Sequence, residues 1–200
     1  MFIQKMDEAI SSWMITLHGN HVVNEILKYF TLLGEAGIFW ILCLLTVLIV
    51  VVAKKKKAPV VLLCGAAALL LGWIFNDFCL KILVQRVRPY HNTEVFGDAF
   101  TALMDSINYK YPSSYSFPSG HSFSSFNAAT TLTLYNKKFG WFAYPIAIII
   151  AFSRVFLGAH YFTDVLTGMI LGICFSLGGY FIGKALLKTK KIGESKYATR

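Results

Sequence analysis

Five long stretches of this chain carry little charge, and stretches of that kind leave a polypeptide few ways to fold. They run over about 37–53, 58–84, 119–136, 141–157 and 161–187. In lipid, only a helix or a closed barrel satisfies its own backbone hydrogen bonds, and a helix needs ~20 apolar residues to cross. The chain is 56% hydrophobic and 14% charged over 200 residues. The expected fold is therefore all-α: a polytopic transmembrane helical bundle of five spans. One domain, 1–200, suits this length.

Residues 1–36 differ. Phe2, Met6, Ile10, Trp13, Met14 and Leu17 recur at helical spacing, as do Val22, Val23, Ile26, Leu27, Phe30 and Leu33 after Gly19-Asn20. This pattern predicts two amphipathic helices lying on the membrane surface. A poorly apolar first span is the competing reading. Residues 37–187 form the expected bundle, with a polar loop over 89–117, and 188–200 a basic cytoplasmic tail. Gly168 with Gly172, and Gly179 with Gly183, give small-residue spacing for close helix contact.

The net charge of +9 is concentrated in three clusters: Lys54 to Lys57; Lys137 and Lys138; and Lys184, Lys188, Lys190, Lys191, Lys196 and Arg200. All follow or separate apolar spans, which is the positive-inside pattern and argues against a nucleic-acid partner. Membrane lipids are the expected surroundings. Cys43, Cys64, Cys79 and Cys174 lie far apart in apolar sequence and predict buried thiols. With the lysines inside, residues 1–36, the 89–117 loop and the 158–160 corner fall outside.

Three polar blocks then meet on the outer face. A charge at mid-membrane costs about 2.5–3.5 kcal/mol on insertion scales, so each block needs a reason to exist. In the first, Lys81 and Arg88 are seven residues apart and would share one helix face, gripping an anionic head group. Asp77 could pair with Lys81, while Arg86 would face elsewhere, toward lipid head groups. Two snorkelling cations at a helix end is the plainer reading.

The second block is Pro118-Ser119-Gly120-His121. It predicts a helix start, with Pro in the first turn, a Ser cap and a Gly permitting close approach, so that backbone N–H groups can hold phosphate. His121 would protonate a leaving oxygen. An ordinary capped helix is the alternative.

The third block is Ser153-Arg154 with His160 and Asp164. A carboxylate hydrogen-bonded to one imidazole nitrogen leaves the other free to attack phosphorus, and Arg154 would neutralise the equatorial oxygens. A structural His–Asp pair is the alternative here. The histidines show no metal-ligand spacing, so no metal or other cofactor is expected. His18, His21 and His91 read as interfacial or loop residues, and Tyr90, Tyr111, Tyr115 and Phe117 as an interface belt.

Lys81–six residues–Arg88-Pro89, then Pro118-Ser119-Gly120-His121, then Ser153-Arg154–five residues–His160–three residues–Asp164 resembles the three-part signature of the type 2 phosphatidic acid phosphatase family. That signature is shared with vanadium haloperoxidases. The resemblance implies a metal-independent lipid phosphatase with a phosphohistidine intermediate. His160 would be nucleophile, Asp164 its orienting partner, and His121 general acid and then base. Lys81, Arg88, Ser119, Gly120 and Arg154 would hold the phosphate. The surface-lying start is similar to small bacterial undecaprenyl-diphosphate phosphatases, which makes that lipid diphosphate the first expected substrate, at the outer face of a bacterial inner membrane. Phosphatidylglycerophosphate, phosphatidic acid and lipid A phosphates stay open, as does transfer to an acceptor other than water. A transporter is the reading from another class. It would place its polar groups near the midplane, whereas these cluster at one face.

Overall fold

The computed structural model describes residues 2–54, 59–110 and 113–198, without the side chains of Ala36 and residues 190–198. All regular secondary structure among these residues is helical. Helices α1 (Phe2–Ile15) and α2 (His21–Leu33) are joined at Asn20, whose side-chain oxygen accepts from the amides of Val22 and Val23 and starts α2. A short 3-10 elbow, Glu35–Gly37, leads into α3 (Ile38–Ala53). Helix α4 (Pro59–Ile74) widens into a π-helical stretch, Phe75–Leu80, and closes as α5 (Lys81–Val84).

The loop between α5 and α8 contains α6 (Thr93–Phe96) and α7 (Ala99–Ser106). Three long helices complete the chain: α8 (Gly120–Tyr135), α9 (Lys137–Phe156) and α10 (Phe162–Ala198).

Among the described residues, three helical segments are long and apolar enough to cross a membrane: Pro59–Phe96, Lys137–Phe156 and Phe162–Thr189. A fourth appears if α2 and α3, bent by 56° to one another, count as one span. The expected five is not reached. Helices α3 and α8 have 16 residues each, about 24 Å of rise against a hydrocarbon core of about 30 Å. The bent pair also brings α2, read above as surface-lying, into a candidate span.

Helix α8 is the centre of the bundle, packed against α3, α4, α9 and α10. Every residue from Ser122 to Leu132 is buried. That explains why it is the least apolar of the long helices: its polar groups meet other helices instead of lipid. Trp40 donates to Ser125 at 2.8 Å, Thr131 pairs with Ser176 at 2.8 Å, and Asn127 donates to the Gly172 carbonyl at 3.3 Å. Such interhelical bonds add specificity where burial alone cannot choose a partner.

The glycine pairs of α10 have separate partners. A Cβ on Gly168 or Gly172 would come within 2.4 Å of the carbonyl oxygens of Ser119 and Phe123 on the α8 side. One on Gly179 would lie 2.7 Å from the Cys64 carbonyl of α4.

The loop is a folded cap rather than an open polar segment. Tyr90, Phe96, Phe100 and Tyr161 form a small core of their own, so Tyr90 leaves the expected interface belt. Tyr115 is exposed, and Tyr111 lies outside the described residues. The cysteines are free thiols, but Cys79 and Cys174 are exposed on the bundle surface and not buried as expected. Of the basic clusters, Lys55 to Lys57 and the side chains from Lys190 onward lie outside the described residues.

Gly172→Ala should loosen the α8–α10 contact, because backbone and not a flexible side chain blocks the new methyl. The expected cost is about 1–3 kcal/mol, read as a lowered thermal midpoint in detergent. An unchanged midpoint would show that the helices can part freely.

Candidate active site

The three polar blocks converge on one cavity of about 140 Å³ at a single end of the bundle. Lys81, Arg88, Gly120, His121, Arg154 and His160 line it, together with Asp77, Ser114 and Ser124. The elbow between α2 and α3 closes one side, and Gly34 sits so near that a Cβ would come 2.7 Å from the His121 ring. Lys54, Lys137 and Lys138 mark the far ends of α3 and α8, opposite the cavity.

Lys81 and Arg88 share this cavity, but not through helical periodicity. The helix stops at Val84, Gln85 takes a left-handed conformation (φ 49°), and Arg88 is extended. Lys81 pairs with Asp77 across the π-helical stretch, as expected. Such stretches are rare and recur at functional sites.

Arg88 is buried and its donors all meet protein. Nε donates to Ser114 O at 2.6 Å, one terminal nitrogen to Ala159 O at 2.7 Å and His160 Nε2 at 3.1 Å, and the other to Ser114 Oγ at 3.0 Å and Tyr115 O at 3.1 Å. The break at Gln85 also turns Arg86 inward. It does not face lipid head groups: it donates to Asp164 at 2.6 Å and to Asp7 at 2.7 Å.

The second block does start a helix. Ser119 is its N-cap, and its hydroxyl accepts from the Ser122 amide at 3.3 Å and the Ser122 hydroxyl at 3.0 Å. Pro118 precedes the cap and lies outside the first turn. The Ser119 amide donates to the Asp164 carbonyl at 3.0 Å. Ser119 is thus committed to shaping the site and is not among the residues that line the cavity. Gly120 and His121 occupy the first turn, where amides have no partner within the helix and favour an anion. His121 Nε2 is buried and has no partner among the described residues.

His160 lies in the corner between α9 and α10. Gly158 makes that corner possible, with φ 67° and no room for a Cβ, which would lie 2.3 Å from the Phe100 ring. The His160 amide and that of Ala159 both donate to the Arg154 carbonyl at 3.1 Å.

The partner of the His160 ring is the largest departure from expectation. Nδ1 lies 2.6 Å from the carbonyl oxygen of Ser116, and 3.8 Å from the nearest Asp164 oxygen. A carbonyl can only accept, so Nδ1 carries the proton and Nε2 keeps its lone pair toward the cavity. Asp164 acts one step back. It accepts from the Ser116 hydroxyl and, at 2.9 Å, from the Tyr161 amide. Burial, and then the positive charges of Arg88, Arg154 and Lys81, hold His160 well below its ordinary titration range, so it is neutral at pH 7.

Arg154 is buried too. It is held by Thr31 Oγ1 at 2.8 Å and Tyr109 Oη at 3.1 Å, and its Nε has no partner among the described residues. Ser153 also donates to Thr31, at 3.0 Å. Thr31, Tyr109, Ser116, Asp7 and Gly158 carry no signal in the sequence, because each acts on a partner that only folding brings near. Among the described residues, no three His, Cys, Asp or Glu side chains come together as a metal site.

The chain matches the PAP2 superfamily over residues 40–186. It resembles the crystal structure of a transmembrane PAP2-type phosphatidylglycerolphosphate phosphatase from Bacillus subtilis, with a TM-score of 0.64 and 25% identity, covering 94% of this chain and 87% of that one. Aquifex aeolicus LpxE has a similar fold, with a TM-score of 0.60 at 21% identity over 90% of this chain and 94% of that one. A lipid A 4'-phosphatase of Porphyromonas gingivalis is 26% identical over 68 residues, which is 33% of this chain and 28% of that protein's length.

Thr31→Val should remove one support of Arg154 while keeping the side chain's shape. One hydrogen bond to a charged group is worth about 1.5–3 kcal/mol, so kcat/KM on a lipid phosphate should fall about tenfold or more. Wild-type kcat/KM would mean that Tyr109 alone suffices.

Proposed function

The chain belongs to the PAP2 superfamily, and from that premise we propose that it is a metal-independent membrane phosphatase that removes a terminal phosphate from a lipid. The observation that carries the reading is the cavity itself, where a histidine with an unprotonated Nε2 faces buried guanidinium groups and a helix start. Such a cup suits a phosphoryl group, whose transfer is catalysed by positioning and by charge on the equatorial oxygens.

The steps follow from the residues. Arg88, Arg154, Lys81 and the first amides of α8 hold the phosphoryl oxygens. The incoming phosphate replaces the bond between Arg88 and His160 Nε2. The lone pair on Nε2 forms a bond to phosphorus as the bond to the lipid oxygen breaks. His121 gives that oxygen a proton. His121 then takes a proton from water, whose oxygen attacks phosphorus and releases phosphate and free His160. Throughout, Nδ1 keeps its proton on Ser116 O, and Asp164 holds Ser116 in place. Ser119 serves as the cap of α8 in this scheme.

For the substrate, the reading moves away from undecaprenyl diphosphate. The proteins this chain is similar to are named for phosphatidylglycerolphosphate and lipid A. A lipid phosphate monoester is the substrate class they favour, with phosphatidylglycerophosphate first, because that likeness extends over 94% of this chain.

The site is read at the outer face of a bacterial inner membrane. Lys54, Lys137 and Lys138 at the far end agree with a cytoplasmic side there. Five crossings remain part of this proposal, with α3 and α8 as short spans shielded by their neighbours. All 200 residues act as one unit.

His160→Ala should cut phosphate release from a lipid phosphate monoester by a factor on the order of 10⁴ or more, with the protein still folded. Turnover near wild type would remove His160 as the nucleophile. EDTA should leave the rate unchanged. A loss restored by a divalent ion would contradict the metal-free scheme.

A further inference from the structure

Asp7 has no part in the scheme above, yet it is a fully buried carboxylate on the first helix. One oxygen accepts from the Thr163 amide at 3.0 Å. The other accepts from Arg86 at 2.7 Å and from the Thr163 hydroxyl. The second terminal nitrogen of Arg86 donates to Asp164 at 2.6 Å and to Thr163 Oγ1 at 2.9 Å, and the guanidinium lies 4.0 Å from the centre of the Tyr161 ring. One cation is therefore shared between two buried carboxylates, leaving the cluster with a net charge of −1.

That cluster lies behind His160. The cations of Lys81, Arg88 and Arg154 line the cavity in front, where Nε2 points. Behind the ring, Nδ1 meets Ser116, and Ser116 meets Asp164. When Nε2 bonds phosphorus, the imidazole becomes cationic. A negative charge on the Nδ1 side stabilises that state, while cations on the substrate side oppose it.

We propose that Asp7 and Arg86 are positioning residues for the phosphoryl-transfer step. Arg86 holds Asp164 in place. Asp7 takes up part of the Arg86 charge, so that Asp164 keeps enough of its own to support the phosphorylated ring. The same contacts lock α1 onto the α9–α10 corner and make the first helix a component of the active site. This rests on the reading of His160 as nucleophile. Neither Asp7 nor Arg86 lines the cavity, so their loss should slow the chemical step and leave substrate binding alone.

The test uses full-length protein in detergent, with short-chain phosphatidic acid as substrate and inorganic phosphate as competing ligand. Asp7→Asn keeps shape and removes charge. It should lower kcat about tenfold, equivalent to about 1.4 kcal/mol on the barrier. KM and inhibition by phosphate should stay within about twofold, the signature of an interaction made only in the transition state. Asp7→Glu should recover part of the rate, and Arg86→Lys should reproduce the loss at constant KM.

The proposal is overturned if Asp7→Asn turns over at the wild-type rate, or if KM rises while kcat is kept. It is also overturned if Asp7→Glu is folded yet as slow as Asp7→Asn, or if both Asp7→Asn and Arg86→Lys lose activity only in step with loss of folded protein. His160→Ala, run in parallel, separates the two readings. Activity in His160→Ala removes the nucleophile itself. An inert His160→Ala beside a fully active Asp7→Asn removes only the role of Asp7.

Discussion

A guanidinium buried in an apolar bundle must find acceptors for its donors, and the way Arg88 does so organises the active end of this protein. Its acceptors come from the loop before α8 at Ser114 and Tyr115, and from the α9–α10 corner at Ala159 and His160. One side chain thereby ties two distant stretches together and points His160 at the cavity. Leaving such a charge unpaired would cost several kcal/mol, so the arrangement is enforced as well as permitted. Arg154 and Arg86 repeat the pattern, one with Thr31 and Tyr109, the other with Asp7 and Asp164.

The bundle beneath supplies a rigid floor. Helix α8 brings its N-terminus and His121 to the cavity, and it is fixed by glycine contacts with α10 and by polar bonds with α3, α9 and α10. Helices packed this closely transmit little slack, which suits the proposed attack of a histidine nitrogen on phosphorus. Function and fold meet at Asp164. Its backbone carbonyl accepts from the Ser119 amide at the start of α8, and its carboxylate bonds Ser116 and Arg86.

Much of this was legible in sequence, and the failures share one cause. The polar blocks stood out because lipid makes charge conspicuous, and their convergence followed from alternating spans. What could not be read was geometry set by breaks and by distant contacts. Helical spacing put Lys81 and Arg88 on one face, but the chain turns at Gln85, and that turn sends Arg86 to the Asp164 side. Four-residue spacing paired His160 with Asp164, but His160 precedes the helix, and the Ser116 carbonyl reaches it first. Asp7 lies 79 residues from Arg86, and Thr31 lies 123 residues from Arg154. Neither separation leaves a local pattern. The sequence pattern marked five spans, whereas three or four segments among the described residues reach spanning length, since burial by protein relaxes the demand for length and apolarity on helices such as α3 and α8.

The tie between His160 Nδ1 and the Ser116 carbonyl is the feature on which the chemistry turns, and one measurement reaches it directly. Enzyme mixed with labelled lipid phosphate and quenched in alkali within milliseconds should yield a phosphoenzyme whose label maps to His160. Chromatography against the two phosphohistidine isomers should place the phosphoryl group on Nε2. Label on Nδ1, or on any residue other than His160, would contradict the account.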